Sequence, residues 1–501
     1  MQRRFIRDLL AYLPSKVLPA LTAFITVPIF TRLFRPDEYG NYILAFGVAQ
    51  LMIAIYSGYG AGTVRFYSNY EVKGQLCTYF TNMFTSIAIM TVFGIGLGAG
   101  SLLLLRQSIP TDTYPLLWLA VGVFAATAWF HTLTLVIRAQ EHSLLYTIFE
   151  LAYRYGVVVV SLGLVLGLGL DIAGLLWGEI IVLIALALVM LWLLRSQISV
   201  RLTHLSRVDM TRFWQFAWPL TLGNFAMWGI RLSDRYIIEA FHGSAEVGLY
   251  SVSYNISSRT IDLLVNLIML VPAPIIMRIW EEQGREDTES YLQVSARVYF
   301  MLLIPAVVGV AVLAQPIVYL LADPAYLDGH RAVSWVALSS LLWGLGQLGS
   351  FGMLVHNRTR LLARNQFFGL LAGIGINLLL IPHFGFMGAA FSACITMFLL
   401  AVLQIHSSAS MLTWYWPVRT LLRVGAAVVV MAAAVHFSVI AQGTTDTLLD
   451  RLRVIGVGII VGGLTYGLAL VTLGEVSIRQ VIHLFTPPAS ESTEHADIRS
   501  I

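Results

Sequence analysis

The chain has 501 residues, of which 58% are hydrophobic and only 12% charged, and its formal net charge is +4. Soluble domains carry about 25% charged residues, so this composition excludes a soluble globular protein and indicates a chain dissolved mostly in lipid. The basic residues are spread along the sequence and form no patch suited to nucleic acid. Two cysteines in apolar segments and scattered histidines predict no metal site, and we expect no cofactor.

Apolar runs near the ~20 residues needed to cross a bilayer recur from end to end, separated by short polar connectors. We therefore predict an all-α, polytopic membrane protein with about fourteen transmembrane helices. In chain order the predicted spans are 9–34, 42–66, 76–105, 114–138, 144–169, 172–195, 212–241, 248–279, 291–321, 331–355, 361–382, 386–409, 417–441 and 452–473. No connector is long enough to hold a soluble domain.

Basic residues are distributed unevenly between the two sets of connectors. With fourteen spans both termini lie on one side, and the connectors there carry twenty basic residues against seven on the other side. Because cytoplasmic loops are enriched in Lys and Arg, we expect both termini in the cytoplasm. The remaining four basic residues lie deep inside predicted spans, away from their ends.

Two pairs of similar segments indicate an internal repeat. Tyr39–Tyr42 aligns with Val247–Tyr250 at an offset of 208 residues, and Gly174 aligns with Gly388 at an offset of 214. Six helices in each half give both halves one orientation, with a cavity between them. The predicted units are an N-terminal lobe at 1–210, a C-terminal lobe at 211–410, two appended helices at 411–474 and a disordered cytoplasmic tail at 475–501.

Four motifs carry a family resemblance: "FRPDEYGNYILAFG", "GYGAGTVRFY", "SDRYIIEAFHGSAEVGLYSVSYNIS" and "NLLLIPHFGFMGAAFS". In this order and spacing the chain resembles the polysaccharide (O-antigen, Wzx-type) flippases of the multidrug/oligosaccharidyl-lipid/polysaccharide (MOP) exporter superfamily. The resemblance implies two six-helix lobes working by alternating access around a cationic cavity. It also implies movement of lipid-linked oligosaccharide, carried on polyprenyl pyrophosphate, across the bacterial inner membrane, without enzymatic catalysis.

The four basic residues inside spans are the candidate substrate-binding groups: Lys16, Arg154, Arg231 and Arg259. An arginine at the centre of a lipid-facing helix costs about 2.5–3.5 kcal/mol, so each is expected to face the bundle interior or water. Guanidinium groups there can replace the hydration of a pyrophosphate through charge-assisted hydrogen bonds.

Acidic residues near these cations allow a second interpretation. Three pairs are spaced by three or four residues along one helix: Glu150 with Arg154, Arg231 with Asp234, and Arg259 with Asp262. They are either self-neutralising structural pairs or, together with Glu179, candidates for binding a coupling proton or sodium ion. Arg235, nearer the end of its span, is expected to reach interfacial water.

Two other functions compete with a flippase. A cation-coupled multidrug exporter of the same superfamily would favour acidic over basic cavity residues. A membrane-embedded glycosyltransferase or polymerase would need a large catalytic loop, and the connectors are too short for one. The expected partners are therefore membrane lipids, the lipid-linked oligosaccharide and a polysaccharide polymerase, with no catalytic residue in this chain.

Overall fold

The computed structural model describes residues 25–198, 200–270, 272–442 and 447–475. Lys16, most of the first predicted span and the polar tail after Glu475 lie outside this described part. Within it the regular structure is helical and no β-strand occurs. The predicted all-α membrane fold is therefore confirmed.

Sixteen α-helical elements are described. They are α1 (described over residues 25–33), α2 (Pro36–Val72), α3 (Leu76–Leu104), α4 (Tyr114–Ala139), α5 (Ser143–Leu162), α6 (Ala173–Leu194), α7 (Arg207–His242), α8 (Ser244–Leu270), α9 (Pro272–Glu282), α10 (Arg285–Val312), α11 (Ala314–Leu321), α12 (His330–Gly349), α13 (Phe351–Val355), α14 (Thr359–Ser408), α15 (Val418–Ala441) and α16 (Leu448–Thr472). A π-helical turn, Gly163–Gly167, extends α5.

Eleven helical stretches of the described chain are long and apolar enough to cross a membrane. α7 is not among them, because its polar and charged side chains lower its hydropathy. α14 contains two of the predicted spans in one stretch, and they meet at a kink where Pro382 interrupts the hydrogen-bond ladder and Gly385 adopts a φ of +55°. The boundary predicted between these two spans thus coincides with the non-helical backbone at Gly385.

Local sequence explains where α2 and α7 begin. Pro36 occupies the first position of α2, where its missing N–H costs nothing, and the Glu38 carboxylate accepts a hydrogen bond of 2.9 Å from the Arg35 N–H. α7 starts after Ser206, whose hydroxyl accepts a hydrogen bond of 3.2 Å from the Asp209 N–H. These caps satisfy N–H groups that no helical partner can reach.

One hydrophobic core joins both halves of the chain at the end of the bundle where α2 and α8 begin. It brings Phe34, Tyr39 and Ala45 of the N-terminal half together with Ile256 and Tyr326 of the C-terminal half. We call this end the joined end. It corresponds to the side that the distribution of basic residues predicts to be periplasmic.

At the opposite end, which we call the divided end, the buried apolar residues form two separate cores. One is built from the N-terminal half and the start of α7, with Tyr79, Ile137 and Phe213 as members. The other belongs to the C-terminal half and includes Ile276 and Leu292. Apart from the packing of α7 against the N-terminal half, the two halves thus share a core at one end only.

α7 also contacts α2 along most of its length. The Trp228 indole N–H donates to the Gly47 carbonyl oxygen at 3.0 Å, and the Tyr236 hydroxyl donates to the Leu44 carbonyl oxygen at 3.0 Å. Together α2 and α7 close one side of the space between the halves. α15 and α16 pack against each other and against α10, outside this space.

Candidate functional site

Arg154 extends from α5 into the space between the halves. Its side chain is exposed, whereas Glu150, one turn earlier, is buried. Its guanidinium carbon lies 5.2 Å from the centroid of the Tyr153 ring, and the Tyr153 hydroxyl donates a 2.7 Å hydrogen bond to the buried Glu179 of α6. The buried Glu179 interacts electrostatically with Arg154, and no salt bridge is seen between Arg154 and either carboxylate among the described residues. The site thus combines an exposed cation with two buried carboxylates nearby.

Arg259 reaches the same space from α8 and is also exposed. Its positive charge is repelled by that of Arg154, and it is attracted by Tyr39 of α2 and by Asp262 one turn further along α8. Arg154 and Arg259 come from different halves, and this interaction indicates that the two exposed cations lie near each other in the space between the halves.

Arg231 of α7 is the third cation in this region. Its Nη1 atom lies 3.8 Å from Oδ2 of Asp262, and its guanidinium carbon is 4.6 Å from the centroid of the Trp343 ring. The Arg231 side chain is 36% exposed, and that of Asp262 is 20% exposed. A long ion pair in contact with water leaves donors of the guanidinium free for another anion.

Asp234 and Arg235 differ from these residues, because both side chains are only 5% exposed and their atoms Oδ1 and Nη1 are 2.8 Å apart. The Tyr250 hydroxyl donates to Asp234 at 2.7 Å, and Arg235 donates to the Arg231 carbonyl oxygen at 2.8 Å. The guanidinium also lies 4.5 Å from the centroid of the Tyr254 ring. This pair is satisfied within the protein and ties α7 to α8.

The observed ion pairs differ from those predicted along single helices. Asp262 pairs with Arg231 of the neighbouring helix and not with Arg259, and Asp234 pairs with Arg235 and not with Arg231. The expectation that Arg235 reaches interfacial water is wrong, because the side chain is buried against Tyr250 and Tyr254. Helical spacing defines a shared face, but the packing of α7 against α8 selects the partners.

Two residues of the site were not identified from the sequence. His131 of α4 interacts electrostatically with both Glu150 and Arg154. The sequence did offer one signal for His131, namely its position in the middle of an apolar span. Trp343 of α12 covers Arg231, and nothing in the sequence distinguishes this tryptophan from the others.

The arrangement suits an anion with several oxygen atoms. Three guanidinium groups are accessible, whereas Glu150 and Glu179 are buried near Arg154. Guanidinium groups bind phosphate oxygens in bidentate geometry, and separation from bulk water strengthens such bonds.

Comparison with known proteins relates the chain to transporters. Over 321 residues it is 24% identical to the succinoglycan biosynthesis transport protein ExoT of Rhizobium meliloti (strain 1021). This alignment covers 63% of the present chain and 62% of ExoT. The lipid II flippase MurJ in an inward closed conformation superposes with a TM-score of 0.74 at 13% identity, covering 95% of this chain and all of MurJ. An inward-facing multidrug MATE transporter of the MOP superfamily gives a TM-score of 0.69 at 14% identity, covering 78% and 94%.

Because their sequence identities are low, the structural similarities establish the fold and nothing more. The sequence profile of a family described as "Polysaccharide biosynthesis protein" matches residues 29–328, more than half of the chain and most of the two halves around the site. The predicted family relationship is thereby confirmed: the chain belongs to the polysaccharide biosynthesis protein family, and it is a multi-pass membrane protein that shares the fold of the lipid II flippase MurJ and of the MATE transporter.

Proposed function

We propose that this protein is a flippase that moves a lipid-linked oligosaccharide, carried on polyprenyl pyrophosphate, across the bacterial inner membrane for O-antigen or exopolysaccharide synthesis. The observation that carries the proposal is the pair of exposed arginines, Arg154 and Arg259, which belong to different halves and lie near each other in the membrane-spanning part of the protein. A relative named for succinoglycan transport and the fold shared with a lipid II flippase support the same substrate class.

The repulsion between the two arginines gives the site a reason to bind a multivalent anion. Like charges at close range raise the free energy of the empty site, and a pyrophosphate between them replaces repulsion by two attractions. The same group cannot cross ~30 Å of hydrocarbon unaided, because its charge would lose its hydration. Since each half contributes one arginine, a bound pyrophosphate also draws the halves together at the divided end.

The carboxylates of the site are the proposed coupling groups. Glu179 interacts electrostatically with Arg154, Glu150 lies one helical turn before it, and Asp262 pairs with Arg231 and interacts more weakly with Arg259. Protonation or sodium binding at these residues would free the arginines for the substrate, and reversal would weaken phosphate binding and aid release. Asp234, which is fully paired with Arg235, acts as a structural residue in this scheme.

Substrate translocation in this scheme breaks no covalent bond, so the protein is not an enzyme. Both termini lie in the cytoplasm, which makes the divided end cytoplasmic and the joined end periplasmic. The cargo enters between the halves from the cytoplasmic leaflet and leaves toward the periplasm, where a polymerase uses it. Lys16, outside the described residues, completes the proposed set of cationic binding residues.

Reconstituted liposomes test the proposal. A fluorescent polyprenyl-pyrophosphate oligosaccharide in the inner leaflet becomes accessible to a membrane-impermeant lectin only after translocation. We expect the parent protein to expose it, and Arg154→Ala and Arg259→Ala each to slow exposure at least tenfold, because one bidentate phosphate contact is lost. Arg278→Ala is the matched control, since this arginine forms a surface pair with Glu282 far from the site.

The rival function makes the opposite prediction in the same liposomes. A multidrug exporter would extrude a cationic dye in response to an ion gradient and leave the labelled lipid where it was. Parent protein that extrudes dye but exposes no glycolipid would refute the flippase. Arginine variants that transport the glycolipid like the parent would refute the cationic site.

A further inference from the structure

Two glycines allow α2 and α8 to touch through their backbones at the joined end. A Cβ atom on Gly40 would overlap the Ser244 carbonyl oxygen and lie 3.2 Å from the Gly248 backbone nitrogen. A Cβ atom on Gly248 would overlap the Pro36 carbonyl oxygen. Neither position tolerates a side chain while the helices remain in this contact. We call the contact of these four residues the glycine crossing.

The crossing is symmetric in the internal repeat of the sequence. The 208-residue offset that aligns the two halves converts Pro36 into Ser244 and Gly40 into Gly248. Gly40 meets Ser244, and Gly248 meets Pro36, so each half presents the same small patch to the other. Reciprocal contacts of this kind define a two-fold interface, here within one chain.

Hydrogen bonds beside the crossing also join the two halves. The Tyr326 hydroxyl donates to the Phe34 carbonyl oxygen at 2.9 Å, and the Asp323 N–H donates to the Thr31 hydroxyl at 3.3 Å. At Gly40 and Gly248 each helix approaches backbone atoms of the other, so separation there does not require a side chain at these two positions to leave a pocket. A contact that seals closely and separates easily suits a surface that must open and close repeatedly.

We propose that the glycine crossing is the closing contact of the transport cycle on the side opposite the divided end. Transport by alternating access requires this end to open, and Gly40 and Gly248 allow it to close again. A methyl group at either glycine would hold α2 and α8 apart and shift the protein toward a state open at the joined end. The inference rests on the alternating access of the proposed function but is independent of the cargo.

Distance measurement between spin labels tests this directly. The exposed residues Glu38 and Ala245 flank the crossing, and cysteines placed there in a chain lacking Cys77 and Cys394 carry the labels. We expect Gly40→Ala and Gly248→Ala each to move most of the distance distribution to longer values. Gly96→Ala in α3, where a Cβ atom has no neighbour within 4 Å, should match the parent. Unchanged distributions in both crossing variants would overturn the proposal.

A second measurement uses the crossing as it exists. In the same double-cysteine chain with both glycines intact, a reducible bifunctional thiol reagent ties position 38 to position 245. The transport rate should fall at least tenfold while the link is present, and it should recover when the link is cleaved by a reductant. Continued transport by the linked protein would overturn the proposal even if the alanine variants do not accumulate. If the untreated protein moves no glycolipid, the proposed cargo fails, whereas the label distances still decide the role of the crossing.

Discussion

At the residue scale, the charges in the membrane divide into accessible cations and a sealed pair. Arg154, Arg231 and Arg259 reach the space between the halves, whereas Asp234 and Arg235 satisfy each other out of contact with water. Removing one member of a buried pair costs about 3–5 kcal/mol, because the other charge stays buried without compensation. The two classes therefore differ in what they contribute to stability.

Substitutions at Arg235 and Arg231 separate these classes. We predict that Arg235→Met lowers the melting temperature of the purified protein strongly, whereas Arg231→Met, at a partly exposed ion pair of 3.8 Å, changes it little. The double variant Arg235→Met with Asp234→Asn should recover part of the loss, since no unpaired charge remains. Thermal melting in detergent provides the measurement, and equal losses for the two single variants would contradict the assignment.

Depth in a predicted span was enough to find the accessible arginines, because an ionised group deep in hydrocarbon is costly unless it faces protein or water. The partners could not be found in this way. Arg235 adjoins Asp234 in the sequence, but its burial depends on Tyr250 and Tyr254 of the next helix. His131 enters the site because α4 packs against α5, which no local pattern encodes.

At the scale of elements, an acidic residue at the end of α16 fastens the appended helices to the C-terminal lobe. Glu475 is 1% exposed and accepts hydrogen bonds from Arg297 of α10 at 2.8 Å and from Thr420 and Arg423 of α15 at 2.6 and 2.9 Å. Burial alone raises the pKa of Glu475, but these three donors outweigh it and lower the pKa to about 2. The folded protein thus favours the ionised form of the Glu475 carboxylate.

We call Glu475 and its three hydrogen-bond donors the clasp. The clasp predicts that the stability of the protein depends on pH. The pKa of Glu475 is depressed in the folded protein from its ordinary 4.5, so its contribution is fully present above that value and is lost as the pH falls toward 2. We expect Glu475→Gln to destabilise the protein at pH 7 by on the order of 2 kcal/mol, the size of a hydrogen bond to a charged group. The difference from the parent should shrink between pH 4.5 and pH 3.

Thermal melting of both proteins across this pH range measures the effect. Glu282→Gln, at an exposed pair with Arg278, is the control and should match the parent at every pH. A pH-independent difference for Glu475→Gln would contradict the clasp. The sequence predicted the two appended helices but not their attachment, because Arg297 and Glu475 lie 178 residues apart.

At the scale of the whole molecule, the two halves are similar in sequence but pack together unevenly at the two ends of the bundle. The sequence repeat predicts two halves around a cavity, and equal halves could close at either end. The structure fuses them at the joined end through a shared core and leaves two cores at the divided end. Repetition in the sequence cannot reveal this choice, because in the proposed transport cycle one sequence supports both arrangements.

The neighbouring arginines predict how the molecule responds to its substrate. Mutual repulsion of Arg154 and Arg259 favours separation at the divided end, and an anion bound between them reverses the sign of that interaction. Spin labels on cysteines at the exposed residues Lys73 and Arg360, one in each half at that end, should therefore move closer when a polyprenyl pyrophosphate lipid is added. A polyprenyl alcohol of the same length is the control and should leave the distance unchanged.

The variant Arg154→Ala tests the role of the repulsion. Without substrate it should already show part of the shortening, since the repulsion is gone, and adding the lipid should change the distance little. A shift of equal size with the alcohol would show that the polyprenyl chain, and not the pyrophosphate, moves the two halves.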